Sequence, residues 1–139
     1  MSAILLDTVP VAPTSNRARW AGRIITGLAV AFLLMDTAMK LSGAKEAVNG
    51  TVQLGWPAHY LPVLAAIEAV CLVLYLIPRT APLGAVLWTG YFGGAIATHL
   101  RIGNPLFSHV LFPIYVAAFI WGGLYLRDAR VRALLAPAR

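Results

Sequence analysis

Glu68 is the residue whose placement most demands a chemical explanation. It stands near the middle of the run from Tyr60 to Ile77, in which ten residues are Leu, Ile or Val. An ionised carboxylate at a helix centre costs roughly 2.5–3.5 kcal/mol on membrane-insertion scales, while each aliphatic neighbour returns about 0.3–0.6 kcal/mol. Insertion therefore stays favourable. The carboxylate then either handles protons or anchors a ligand, or it serves to hydrogen-bond helices together. Asp36 and Lys40 are four residues apart, on one helical face, where they can pair. In the alternative, Lys40 snorkels to the interface and leaves Asp36 turned inward without a full partner.

Histidines supply a second kind of chemistry. His99 and Arg101 end one apolar run, and His59 and His109 begin others. His99 and His109 at similar depth on adjacent helices meet the minimum for bis-histidine haem ligation. No H-x-x-x-H or E-x-x-H spacing places two ligands on one helical face, so hydrogen-bonded interfacial histidines are the favoured reading and no metal site is assigned. The single cysteine, Cys71, excludes dithiol chemistry within one chain and reads as an inert buried thiol on the face of Glu68.

The elements that must position these groups follow from composition. Of 139 residues, 60% are hydrophobic and 12% charged, against about 45–50% and 25% in soluble domains. This is a membrane composition, and it leaves no chain for a two-domain enzyme. The formal charge of +6 does not indicate nucleic acid, because the basic residues sit at the ends of apolar runs, where they set topology and meet anionic headgroups. Residues 1–19 read as a disordered N-terminal tail whose order of basic and apolar residues fits no signal peptide. Residues 20–130 read as the membrane domain, with spans at about 20–41, 60–77, 83–99 and 108–126, and 131–139 as a basic C-terminal tail. The third and fourth spans lack Lys, Arg, Asp and Glu, and Pro113 bends the fourth or marks its first turns. Ala44, Val48 and Val52 recur at four-residue spacing in the longest loop, which predicts a short interfacial helix.

Charge sorting orients the spans. Arg17, Arg19, Arg23, Arg79, Arg127, Arg130, Arg132 and Arg139 fall on one side, and Lys40, Lys45 and Arg101 on the other. The expectation is an all-α integral-membrane four-helix bundle with both termini cytoplasmic. That topology brings Asp36, Lys40, His59, His99, Arg101 and His109 into one leaflet, with Glu68 deeper. The expected result is a polar, partly hydrated vestibule opening outward with a carboxylate at its floor. Asp36 and Glu68 on different sides of the bundle would defeat it. Gly90, Gly93, Gly94 and Ala97 have small-x-x-x-small spacing, which predicts close packing at the bundle centre, with a homodimer seam as the alternative.

GYFGGAIATHLRIG (Gly90–Gly103) followed by PLFSHVLFP (Pro105–Pro113), with the Asp36–Lys40 pair, LGWP (Leu54–Pro57) and the segment around Glu68, resembles the DoxX-like membrane proteins over roughly residues 20–130. The resemblance implies a four-helix, multi-pass protein of the bacterial inner (cytoplasmic) membrane. The family takes its name from a small subunit associated with a thiosulfate:quinone oxidoreductase, and other members are linked to membrane-attached redox and stress-protection assemblies. The matching polar positions are Asp36, Lys40, Glu68, His99 and Arg101, and no catalytic role transfers onto them. No cofactor motif is evident, so a quinone enters by family association alone. The resulting expectation is an accessory membrane subunit of a redox or quinone-linked assembly, with a redox partner protein and a pocket for a quinone-like or lipid-like molecule. Its rivals are an independent membrane enzyme or carrier for an amphiphile, using Glu68 or Asp36 as proton donor or acceptor, and a structural anchor.

Overall fold

The computed structural model describes residues 13–135. Ser15 opens the first helix, α1 (Asn16–Leu41), by accepting the Ala18 backbone N–H on its side chain at 3.2 Å. Because of this cap, Asn16–Arg19 are the first helical turn rather than part of a disordered tail; residues 1–12 of the expected tail lie outside the described residues. Gly43 (φ 64°) ends α1, with Ala44 N–H donating to Met39 O at 3.0 Å and Gly43 N–H to Lys40 O at 3.2 Å. Those two bonds satisfy carbonyls that would otherwise be orphaned, and the left-handed residue between them is where Gly is favoured. The predicted interfacial helix is α2 (Lys45–Gln53), which turns Thr51 inward and leaves Val52 exposed.

A 3₁₀ turn at Ala58–Tyr60 leads into α3 (Leu61–Leu76), and a tight turn through Pro78 leads into α4 (Ala81–Arg101). One π-helical turn (Leu106–Val110) precedes α5 (Phe112–Arg127), and Pro113 lies buried in the first turn of α5, where its missing N–H costs nothing. The chain then forms α6 (Ala129–Leu135). Asp128 starts it, accepting the Arg130 backbone N–H at 2.9 Å and the Arg130 guanidinium at 2.8 Å. That side-chain bond holds the Asp128 carboxyl below the usual carboxylate range. Arg130 also donates to Pro78 O at 2.5 Å, and Val131 is buried. The expected basic tail is therefore helical through Leu135, and residues 136–139 lie outside the described residues.

Among the long helices, α1 packs on α3 and α5, and α4 packs on the same two. Leu33, Tyr75, Trp88, Ile120 and Leu124 form the centre of the shared core. Glycines set the closest approaches. A Cβ on Gly22 would stand 2.9 Å from Gly123 O, and one on Gly84 would overlap the Tyr75 backbone nitrogen. The small residues expected to pack are different ones, and that expectation is corrected: a Cβ on Gly90, Gly93 or Gly94 meets nothing within 4 Å. Helical spacing groups those glycines on one side of α4, but the rotation of α4 turns that side away from its neighbours, and Ala97 is exposed with them.

Large apolar side chains cover the outside, among them Leu28, Val63, Val70, Val86, Ile114 and Phe119. Water would not tolerate this surface over so much of the protein, and lipid does. Three helical segments are long and apolar enough to cross a bilayer: Asn16–Leu41, Ala58–Leu76 and Leu106–Arg127. The protein is thus an all-α membrane protein. The span expected at 83–99 is a helix of 21 residues, but its threonines, glycines and Tyr91 dilute its apolar character and it falls outside that set of three.

Candidate functional site

Three helices bring polar groups to one place in the core. From α1 come Asp36, Thr37 and Lys40, from α3 Glu68, and from α4 Tyr91. Glu68 is fully buried at 0% exposure. Its Oε1 accepts from Lys40 Nζ at 2.5 Å and from the Tyr91 hydroxyl, and its Oε2 accepts from Thr37 Oγ1 at 3.2 Å. Three donors on one carboxyl match the acceptor-only capacity of the ionised form. A buried carboxylate without such partners would cost several kcal/mol by rough reckoning.

Lys40 resolves the two alternatives posed by its spacing from Asp36 in a third way. It turns inward and bridges both carboxylates, donating to Asp36 Oδ2 at 2.5 Å as well as to Glu68. An ammonium carries three donors, so one N–H of Lys40 is left uncommitted. Two carboxylates against one ammonium leave one negative charge in excess, and Asp36 is the more accessible acid, with its side chain 39% exposed.

Beside this cluster lies a cavity of about 370 Å³, at the lower end of the roughly 300–1,000 Å³ of small-molecule sites. Asp36, Lys40, Tyr91 and His99 supply its polar wall, and Phe32, Trp56, Trp88, Phe92 and Phe112 its aromatic one. Glu68 does not line the cavity; Lys40 and Tyr91, which do, are both bonded to it.

The other residues singled out from the sequence divide. His99 lines the cavity, with its Nδ1 2.7 Å from Asn104 Nδ2 and its ring edge-to-face with His109 at 5.9 Å between centroids. His109 is exposed, bonded through Nδ1 to Ser108 Oγ at 2.8 Å, and lies outside the cavity wall. Arg101 is likewise outside: it reaches over to donate to Leu54 O at 3.0 Å, a carbonyl freed by the end of α2. His59 is exposed against the Tyr60 ring. Among the described residues no three His, Cys, Asp or Glu gather as metal ligands would.

Thr37 and Tyr91 were not singled out from the sequence. A tyrosine in the middle of an apolar helix does carry a signal, since a buried phenol requires a partner. Thr37 carries none, because a helical threonine ordinarily bonds its own chain one turn back, as Thr89 does to Ala85 O at 2.8 Å.

No curated protein and no solved structure matches the chain. A family model does match, over residues 24–123, which contain all five members of the polar cluster, and on that match the chain belongs to the DoxX-like family.

Proposed function

We propose that the protein is an accessory subunit of a redox or quinone-linked assembly in the bacterial inner membrane, built as a four-span bundle with both termini cytoplasmic, and that its cavity holds an amphiphilic small molecule. The observation that carries this reading is the meeting of an aromatic-walled cavity of about 370 Å³ with a lysine that has a donor to spare. Phe32, Trp88, Phe92 and Phe112 offer flat apolar surface to a ring, and Lys40 offers an N–H to an oxygen on that ring. A quinone fits this donor and surface set, and when bound it would supply electron and proton acceptance. Lys40 would hold its oxygen, Glu68, itself held by the Thr37 hydroxyl, would hold Lys40 in place, and Asp36 would be the carboxylate nearest the bound head. Glu68 is in this reading a positioning residue, since it reaches the cavity only through Lys40 and Tyr91.

Native mass spectrometry of the full chain, gently extracted from its own membranes, tests the reading, together with organic extraction of what accompanies it. We expect a stoichiometric small molecule on the wild type and its loss in Glu68→Gln without loss of the folded, monodisperse protein. A bare chain accompanied only by a protein partner would keep the subunit role and remove the ligand. One observation favours a second reading, a carrier or enzyme for an amphiphile: Asp36 Oδ1 accepts no hydrogen bond and Asp36 lines the cavity, as a proton acceptor for a bound substrate would. In that case Asp36→Asn abolishes turnover while leaving the bound molecule in place. A purely structural anchor predicts that both substitutions are silent.

A further inference from the structure

The cavity is not closed equally on all sides. Between α1 and α5, Phe32 and Phe112 meet edge-to-face at 5.5 Å. At the end near α2, Leu54 and Trp56 form the wall, and the Arg101 bond to Leu54 O ties that segment to α4. On the side of α3 and α4, beside Leu64, Tyr91 and Ala95, the wall includes Ile67, itself 46% exposed, and the exposed backbone of Gly90 and Gly94, beside which a Cβ would meet nothing. An opening on that flank faces the hydrocarbon, since its rim carries no charged side chain and its neighbours Val63 and Val86 are exposed aliphatics.

From this we infer that the cavity is entered sideways from the bilayer, between α3 and α4 at Gly90 and Gly94, by a single-tailed amphiphile with an uncharged oxygen-bearing head. The inference rests on the proposed ligand-binding role and names the ligand's class and route. The head is uncharged because the formal charges of Asp36, Glu68 and Lys40 sum to a negative excess and the one ammonium is already paired with two carboxyl groups, so a carboxylate or phosphate would find no free cation there. It bears an oxygen because the uncommitted N–H of Lys40 requires an acceptor. The tail passes out over the two glycines and lies among lipid chains, which is why the cavity needs no volume for it.

The test uses the full chain in phosphatidylcholine nanodiscs, with decylubiquinone as probe and quenching of tryptophan fluorescence as signal, Trp56 and Trp88 being wall residues. Saturable quenching is expected for the wild type. Gly90→Leu and Gly94→Leu should slow association by about tenfold each, because their side chains stand in the path. Gly90→Ala and Gly94→Ala, with smaller effects in the same direction, serve if a leucine variant does not fold. Dodecanol should displace the probe at least about tenfold better than dodecanoate at pH 8. Saturable binding with rates unchanged in all glycine variants overturns the lateral route and leaves the site standing. Equal competition by dodecanoate overturns the uncharged head. Absence of saturable quenching in the wild type removes the ligand-binding reading and this inference with it.

Discussion

Lys40 is the member of the cluster on which the others depend. Without it, the carboxylates of Asp36 and Glu68 would be left with no cation between them, and Glu68, fully buried, would lose its charged partner. Single hydrogen bonds between membrane helices are modest, averaging about 0.6 kcal/mol, so Tyr91→Phe should lower stability by only about 0.5–1.5 kcal/mol. Stranding a buried charge is a larger effect. Lys40→Met should cost roughly 3–5 kcal/mol, while the double substitution Lys40→Met with Glu68→Met should recover most of it, since replacing both members of a buried pair by apolar groups is often neutral. Denaturant unfolding in micelles, arranged as a double-mutant cycle, measures the difference. Additive losses in the double variant would mean that the pair is not the coupled unit described. Asp36, Lys40 and Glu68 were legible as chemistry in the sequence because charge in an apolar run is costly. That they share one ammonium was not, because spacing fixes a face within a helix and leaves the rotation between helices open.

Helices in this protein approach closely where glycine faces backbone, and the glycines that do so within the bundle are not those of the spacing pattern. Gly90, Gly93 and Gly94 carry the familiar motif, yet each looks into open space, whereas Gly22, Gly84 and Gly123, outside that motif, sit where α1 meets α5 and α3 meets α4. A contrast in stability follows. Gly84→Ala puts a methyl group against the Tyr75 backbone, which has no flexible end to yield, so α3 and α4 must separate, at about 1–3 kcal/mol. Gly90→Ala meets nothing and replaces a poor helix former by a good one, a gain of roughly 0.5–1 kcal/mol. Thermal unfolding of both variants in one detergent decides it, and a Gly90→Ala loss as large as that of Gly84→Ala would show that α4 is rotated otherwise. The apolar runs themselves located the long helices well, because burial in lipid demands continuous apolar length. Helix α6 went unread for the opposite reason: it is short and basic, and only the Asp128 cap and the buried Val131 reveal it.

Charge is sorted along the whole molecule in a way that predicts how it sits in the membrane. Gly22 lies against Leu126, Arg127 stacks over the Tyr75 ring at 5.5 Å, and Arg130 bonds Pro78, so the start of α1, the α3–α4 turn and the end of α5 form one end. Arg17, Arg19, Arg23, Arg79, Arg127, Arg130 and Arg132 belong to that end. The opposite end holds Lys45 and Arg101. Such an imbalance predicts that the arginine-rich end faces the cytoplasm. Helix α4 is the critical element, because it alone of the four long helices falls outside the segments apolar enough to cross, and the topology fails if it does not cross. Two facts argue that it crosses: it has no Lys, Arg, Asp or Glu from Ala81 to Leu100, and it packs along α3, which is itself long and apolar enough to span. The turn joining them is too short to let the two lie at different depths. Cysteines introduced one at a time at Arg79 and Gly103, in a Cys71→Ala background, should therefore react with a membrane-impermeant maleimide from opposite sides, Gly103→Cys in intact cells and Arg79→Cys only after the membrane is opened. Labelling of both from the same side would leave α4 uncrossed and put the two termini on opposite faces of the membrane.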